Sequence, residues 1–190
     1  MKRALITGGA KRLGRAMTLY LAERGLDVAI HYSTSREAAE ETAEAARKQG
    51  VRAAILKADL LDEDQTAGLV DRAAAALGGP LGLLINNASI FEPDTIETAT
   101  KESWDRHIGS NLRAPYLLTQ AFARQAPEAE RVSEPVARAM IVNMVDQRVQ
   151  KLTPDFSTYT LAKMGLWAFT QTAAQGLAPD IRVNAIGPGP

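Results

Sequence analysis

The pattern with the clearest chemical potential in this sequence is a tyrosine and a lysine one helical turn apart. Tyr159 and Lys163 lie in a stretch, residues 157–177, whose periodicity predicts a helix, so both side chains share one helix face. An ammonium group beside a phenol stabilises the phenolate and lowers the phenol pKa from about 10. Such a phenol can exchange a proton with a substrate near neutral pH, although an exposed pair of this kind also occurs as a plain helix decoration.

A glycine-rich loop near the amino terminus suggests a phosphate site. The segment reads Thr7-Gly8-Gly9-Ala10-Lys11-Arg12-Leu13-Gly14, between an apolar run and a helical pattern. Glycines let the backbone approach a pyrophosphate, and a helix N-terminus offers unpaired N–H groups and the positive end of its dipole. Lys11, Arg12 and Arg15 add positive charge. The simpler alternative is a tight turn between strand and helix that merely requires glycine.

The end of the second apolar run favours NADP over NAD. An NAD site usually places an Asp or Glu about 20 residues after the glycine loop, where it binds the ribose 2′-hydroxyl. Here the corresponding segment reads His31-Tyr32-Ser33-Thr34-Ser35-Arg36, and the first acid is Glu37, already within the next predicted helix. Hydroxyls and an arginine suit a 2′-phosphate. Alternatively, His31 is a half-buried strand residue, and Ser33 or Ser35 caps the helix.

The elements that position these residues alternate between short apolar runs and amphipathic stretches. The pattern predicts strands over 4–7, 28–32, 53–56, 81–86, 139–144 and 181–186, and helices over 12–24, 35–49, 62–77, 101–126 and 157–177. Pro115 marks either a join between two helices or a helix start, and 127–138 reads as a surface loop. Apolar strands separated by helices are buried and parallel. The sequence therefore predicts one domain over residues 1–190, an α/β Rossmann-type doubly wound parallel sheet with strand order 3-2-1-4-5-6.

Composition excludes several classes of function. The 190 residues contain no cysteine and two histidines, which argues against a disulfide framework, a thiolate zinc site and a metal centre. Lys+Arg and Asp+Glu are 22 each, so the basic excess of a nucleic-acid-binding protein is lacking. No apolar run approaches the roughly 20 residues of a membrane helix, and the amino terminus has no secretory pattern. We therefore expect a cytoplasmic protein with neither a nucleic-acid nor a membrane partner.

Taken together, these motifs resemble the short-chain dehydrogenase/reductase family over essentially the whole chain. The resemblance is carried, in family order, by Thr7-Gly8…Gly14, Asp59, Asn86-Asn87-Ala88, Asn111, Tyr159…Lys163 and Pro188-Gly189. It implies an NADP(H) cofactor, with Asp59 and Leu60 at the adenine, Asn87 and Ala88 beside a ribose, and Lys163 on the nicotinamide ribose. It also implies that Asn111 holds a proton-relay water and that Pro188 and Gly189 contact the cofactor. Without the family, Asp59 would be read as a helix cap and Asn86-Asn87 as a turn.

The resemblance also implies features beyond the site. Family members are usually homotetramers that pack through the helices after strands four and five. They also continue past the position of Pro190 into a substrate loop, a helix and a last strand, so the carboxyl-terminal strand of the fold is expected to be missing from these 190 residues.

Two departures from the usual family pattern resemble its pteridine reductase and dihydromonapterin reductase branch. Arg12 stands where Gly or Ala is usual, and Asp146 replaces the usual Ser before the tyrosine. Ser89 and Phe91 also match that branch, in which the phenylalanine stacks on the pterin while the serine and the loop arginine make polar contacts with ligand or cofactor phosphate. Taken alone, Phe91 could be a core aromatic and Asp146 a turn residue.

The chemistry of a pterin agrees with the exchange of serine for aspartate. A pterin presents ring nitrogens and an amino group, which are partners for a carboxyl group, and a phenyl ring suits offset stacking on it. We therefore predict an NADPH-dependent reduction of a dihydropterin to a tetrahydropterin. Its catalytic residues are Asp146, Tyr159, Lys163 and Asn111, and its substrate contacts come from Arg12, Ser89, Phe91, Asp146 and Tyr159. The alternatives are a reductase of another carbonyl or imine, and a non-catalytic NADP(H)-binding sensor or scaffold.

Overall fold

A single six-stranded parallel sheet forms the centre of the computed structural model, which describes residues 1–131 and 133–189. The strands follow the order β3-β2-β1-β4-β5-β6, with every neighbouring pair parallel. Their bounds are β1 Arg3–Ile6, β2 Asp27–Tyr32, β3 Ala53–Lys57, β4 Leu83–Asn86, β5 Ala139–Met144 and β6 Ile181–Ile186. The predicted fold class and strand order are confirmed.

Helices cover both faces of this sheet and create two separate apolar layers. Leu5 and Leu84 belong to one core cluster, whereas their strand neighbours Ile6 and Ile85 belong to the other. Because successive residues of a strand point to opposite faces, this alternation buries both sides of each central strand. The helices are α1 Arg12–Ala22, α2 Arg36–Arg47, α3 Glu63–Ala67, α4 Leu69–Leu77, α5 Lys101–Ile108, α6 Ala114–Gln125 and α7 Ser157–Leu177.

Two of the predicted helices are interrupted. The stretch 62–77 divides into α3 and α4 at Gly68, and Asp62, not Asp59, caps α3 by accepting from the Gln65 N–H at 3.1 Å. The stretch 101–126 contains a π-helical turn, Gly109–Arg113, between α5 and α6. Pro115 lies in the first turn of α6, directly after the π-helical turn. Because the two helices meet there without a break, Pro115 marks the join between them and the start of α6.

The strand order reverses between β1 and β4, and this reversal defines the crevice where ligands bind in doubly wound sheets. The loops that follow β1, β4 and β5 carry Gly8, Asn87 and Asp146 respectively. In the part of the chain that the structure describes, no helix combines the length and apolarity needed to cross a bilayer.

Candidate active site

The loop after β1 closes so tightly on α1 that glycine is required. Gly8 has φ +61°, and a Cβ on Gly14 would lie 2.0 Å from the Gly8 carbonyl oxygen and 2.7 Å from Asn87 Nδ2. The N-terminus of α1 has neither a side-chain cap nor an acidic residue in its first turn. Lys11 and Leu13 are exposed beside it. These features fit a pyrophosphate, because the N–H groups and the dipole of α1 remain directed at the loop.

Arg12 lies in the same loop with a backbone φ of +50°. This left-handed conformation costs a side-chain-bearing residue roughly 1–2 kcal/mol, which glycine would avoid. The Arg12 side chain is exposed at the N-terminus of α1. Its charge is thus held at the predicted phosphate site despite the backbone strain.

Asn87 and Thr7 bind the glycine loop to the end of β4. Asn87 Nδ2 donates to the Thr7 and Gly8 carbonyl oxygens at 2.9 and 3.2 Å. Thr7 Oγ1 accepts from the Asn87 and Ala88 N–H groups at 2.8 and 3.0 Å. The side chain of Asn87 therefore shapes the loop, and Ala88 lies directly beside it.

His31 has a different role from the predicted cofactor contact. Its side chain is only 2% exposed. Its Nδ1 accepts from the Gly8 N–H at 3.0 Å, and its Nε2 therefore donates to the Ala58 carbonyl oxygen at 3.1 Å. Because the protein uses both ring nitrogens, His31 positions the glycine loop and is not a cofactor ligand. Burial lowers the pKa of this imidazole to about 4.

The other residues that were predicted to bind the adenosine part of the cofactor include both exposed and buried side chains. Ser33, Thr34 and Asp59 are exposed, and Ser35 occupies the N-cap position of α2 without a side-chain cap hydrogen bond. The side chains of Tyr32 and Leu60 are instead buried in the two cores. Their predicted contacts with the cofactor stay predictions. Glu37 lies in the first turn of α2, as predicted.

Asp146 and Tyr159 converge although they come from different elements. Tyr159 Oη donates to Asp146 Oδ2 at 2.9 Å, and Asp146 Oδ1 accepts from the Arg148 N–H at 2.9 Å. Burial, followed by the hydrogen bond and charge of Asp146, raises the pKa of Tyr159, while Arg148 and Ser89 act in the opposite direction. The predicted lowering of this pKa by Lys163 is wrong, because desolvation and the carboxylate both favour the neutral phenol.

Lys163 lies close to this pair without contacting it. Its Nζ donates to the Met144 carbonyl oxygen at 2.7 Å and lies 5.6 Å from the centre of the Tyr159 ring. Burial lowers the pKa of Lys163 to about 8, and the Asp146 carboxylate opposes this shift. The ammonium is thereby fixed at the end of β5, one helical turn from the phenol.

Asn111 fixes the loop after β4 through its side chain. Its Oδ1 accepts from the Ile90 N–H at 2.9 Å, and its Nδ2 donates to the Ile90 carbonyl oxygen at 2.8 Å. Both the oxygen and the nitrogen of the amide are engaged by Ile90, and the predicted role of Asn111 in holding a water stays a prediction. The surrounding π-helical turn is a feature often found at functional sites.

The segment after Ala88 brings Ser89 and Phe91 to Tyr159. The Phe91 ring is 52% exposed, and its centroid lies 4.7 Å from that of Tyr159 at a steep angle. It also stacks in parallel on Phe156, with centroids 4.2 Å apart. One face of Phe91 is therefore covered by a residue that the sequence analysis did not identify.

A buried polar network beneath Tyr159 was also missed. Asp94 accepts from the Thr158 N–H at 3.1 Å and from its hydroxyl at 2.5 Å. His107 Nδ1 then donates to Thr158 Oγ1 at 2.7 Å, and its Nε2 accepts from the Glu92 N–H at 3.1 Å. These contacts join positions far apart in the sequence. The only feature of the sequence that could have indicated the network is the position of Thr158 next to Tyr159.

The carboxyl-terminal Pro188 and Gly189 follow β6 at the same edge of the sheet. A Cβ on the preceding Gly187 would lie 3.8 Å from the Asp146 backbone, which brings this segment beside the site. Among the residues that the structure describes, no group of three or more His, Asp or Glu side chains could hold a metal ion.

Comparison with known proteins identifies the scaffold. The family model described as short chain dehydrogenase matches residues 2–190. The chain belongs to the short-chain dehydrogenase family. General stress protein 39 of Bacillus subtilis is 34% identical over all of this chain and 63% of its own length. The 3-oxoacyl-[acyl-carrier-protein] reductase FabG of Staphylococcus aureus is 30% identical over 99% of this chain and 74% of its own.

A solved structure is more similar still. FolM alternative dihydrofolate reductase 1 from Brucella canis, in complex with NADP, superposes with a TM-score of 0.90 and 41% identity. The match covers 99% of this short-chain dehydrogenase chain and 73% of that protein. The chain thus spans about two thirds to three quarters of the length of these relatives. The prediction of NADP(H) is confirmed at the level of the family by such complexes.

The His31 contacts predict a specific loss of stability in acid. The folded pKa of about 4 lies below the ordinary histidine value of 6.5, so the unfolded chain takes up a proton first as the pH falls. The stabilisation is complete above about pH 6.5 and is lost as the pH approaches 4. We expect the free energy of unfolding to fall by about 2 kcal/mol between pH 7 and pH 5 from this group alone.

Urea unfolding of the wild type and of His31→Gln at both pH values isolates this contribution. Glutamine can accept and donate a hydrogen bond but does not titrate, so the variant is expected to lose about 2 kcal/mol less than the wild type. Equal losses in the two proteins would show that His31 does not supply the pH dependence.

Proposed function

We propose that this protein is an NADPH-dependent reductase of a pterin, converting a dihydropterin to a tetrahydropterin. The observation that carries the proposal is the 2.9 Å hydrogen bond between Tyr159 and Asp146, next to the exposed ring of Phe91. The similarity to a FolM alternative dihydrofolate reductase at 41% identity supports the same substrate class. The protein would act on a soluble small molecule, in the cytoplasm.

The residues around the crevice suit NADP(H). The glycine loop and the N-terminus of α1 would hold the pyrophosphate, with Lys11 and Arg12 adding charge. Ser33, Thr34 and Ser35 would receive the 2′-phosphate, and Asp59 would lie near the adenine. Lys163 would orient the nicotinamide ribose. When bound, NADPH supplies the hydride that reduces a ring carbon.

Tyr159 and Asp146 would supply the accompanying proton. Tyr159 gives the proton of its hydroxyl to the ring nitrogen of the C=N bond whose carbon receives the hydride, so that the bond becomes CH–NH. Asp146, whose side chain is 20% exposed, then takes up a proton from solvent and returns it to Tyr159. The raised pKa of Tyr159 keeps the phenol protonated at neutral pH, so the proton to be transferred is present on its hydroxyl.

Phe91 would supply the flat surface on which the ring lies. Phe156 covers one face of Phe91, so a pterin would stack on the opposite face, between Phe91 and the nicotinamide. Ser89 interacts with the hydroxyl of Tyr159 and would face the same ring. Asn111 holds this loop in place through its two hydrogen bonds to the Ile90 backbone.

Reduction of a carbonyl substrate is the second candidate function. It is favoured by the similarity to the FabG reductase of Staphylococcus aureus, at 30% identity over nearly the whole chain. In that case the Tyr159 hydroxyl would protonate a carbonyl oxygen, and the carboxylate of Asp146 would be incidental.

We also propose that the protein is a homotetramer assembled through the helices after β4 and β5. The facing parts of α6 and α7 carry half-exposed Tyr116 and Phe169 around a shallow apolar groove of about 400 Å³. Leu161 and Trp167 are exposed on α7. A second copy would remove this apolar surface from water. Light scattering is expected to show four copies, and a monomer at micromolar concentration would contradict this prediction.

Removing the Tyr159 hydroxyl should stop proton delivery and leave the fold and the cofactor site intact. Tyr159→Phe is expected to lower kcat by about 10²–10⁴-fold while the affinity for NADPH, followed by its fluorescence, stays within about two-fold. Tyr20→Phe, on the exposed side of α1, is the matched control and should keep full activity. Full activity of Tyr159→Phe would remove this residue from the chemistry.

Replacing the carboxyl group separates the two candidate functions. Wild type and Asp146→Ser are assayed at the NADPH absorbance band with a dihydropterin, dihydrofolate and a plain ketone. We expect the wild type to reduce the dihydropterin, and the variant to lose far more activity on it than on the ketone, since serine still polarises a carbonyl. Equal losses on both, or wild-type turnover of the ketone alone, would favour the second candidate.

A further inference from the structure

Arg148 enters the candidate site although the sequence analysis gave it no role. Its Cζ lies 4.8 Å from the ring centroid of Phe156 and 5.5 Å from that of Phe91, and the two centroids are 4.2 Å apart. These three distances place the guanidinium beside the stacked rings, along their edges. The cation therefore borders the ring on which the substrate is proposed to lie.

One donor of this guanidinium is unpaired in the part of the chain that the structure describes. Arg148 Nε is buried, and none of the described residues offers it an acceptor. Its NH1 group lies 3.5 Å from Asp146 Oδ1, a long separation for an ion pair. A buried N–H without an acceptor costs about 1–3 kcal/mol, so an unmatched donor at a site requires an explanation.

The neighbouring groups do not supply the missing acceptor in this arrangement. Phe91 and Phe156 present only carbon atoms to Arg148, and the Asp146 oxygens accept from Tyr159 Oη and from the Arg148 backbone N–H instead of from Nε. The side chain is 20% exposed, on the part of the loop that borders the crevice. An oxygen of a bound molecule would complete the set.

We propose that Arg148 is a substrate-binding residue whose Nε–H donates to an oxygen acceptor of the planar substrate. This inference rests on the proposed function for the identity of the ring. A pterin carries a ring carbonyl oxygen, and some pterins also carry a carboxylate on their side chain. Arg148 has only donors, so it selects a ring with a carbonyl oxygen over one with an amino group at the same position.

The test measures binding to the NADP⁺-loaded protein of three ligands: a 4-oxo dihydropterin without an acidic side chain, dihydrofolate, and 2,4-diaminopteridine. Arg148→Met keeps the aliphatic part of the side chain and removes its donors. Arg148→Lys keeps the charge and removes Nε–H. Arg24→Met, just beyond the carboxyl-terminal end of α1, is the matched control. Thermal unfolding and NADP⁺ affinity are measured for each protein.

We expect Arg148→Met to weaken binding of the 4-oxo ligand at least ten-fold and binding of the diamino ligand less than three-fold. Arg148→Lys should remain weakened for the 4-oxo ligand, because its charge lacks the directed donor. A selective loss on dihydrofolate alone assigns the oxygen to the side-chain carboxylate. Arg24→Met should match the wild type.

Other outcomes overturn the inference. Equal losses of affinity for all three ligands, or a matching loss of NADP⁺ affinity and stability, would show that Arg148 only stabilises the loop after β5. Full recovery in Arg148→Lys would reduce its role to charge alone. If the wild type binds neither pteridine, the proposed function fails and the inference fails with it, whereas pteridine binding that is unchanged in Arg148→Met overturns the inference alone.

Discussion

The hydrogen bond between Tyr159 and Asp146 is the interaction on which the site depends, and it exists because the start of α7 is fixed from below. Asp94, from the loop after β4, accepts both the N–H and the hydroxyl of Thr158 and so anchors the first turn of α7. His107 completes this support from α5 and is fully buried. The phenol is therefore held at Asp146 by elements that are remote in sequence. Without Asp94, the Thr158 N–H in the first turn of α7 would lose its hydrogen-bond acceptor.

Two cations balance the carboxylate of this pair in different ways. Lys163 is buried against the Met144 carbonyl oxygen and acts over a distance, whereas Arg148 is on the same loop as Asp146 and lies along the aromatic edge. Burial lowers the pKa of Lys163, and the charge of Asp146 offsets part of this shift. Removing Asp146 would therefore change the ionisation of Lys163 as well as that of Tyr159, since the three groups are electrostatically coupled.

The sequence predicted the sheet order because six apolar runs separated by helices allow few topologies, and it predicted the convergence of Asp146 and Tyr159 through the family resemblance. It could not predict the sign of the Tyr159 pKa shift, because burial and the carboxylate outweigh a lysine that stays 5.6 Å from the ring centre. The role of His31 was missed because its partners, Gly8 and Ala58, come from two other loops. Such contacts depend on tertiary packing and leave no local pattern.

The exchange of the family's usual serine for Asp146 changes what Tyr159 can do while the scaffold stays the same. A hydroxyl at this position would be neutral, but a carboxylate stabilises the protonated phenol by accepting its hydrogen bond and by its charge. A phenol that holds its proton is a poor base for removing a proton from an alcohol. It is a suitable donor to a ring nitrogen, whose basicity rises as hydride arrives on the neighbouring carbon. Under the proposed function, Asp146 thus links the local electrostatics to the reduction of a C=N bond.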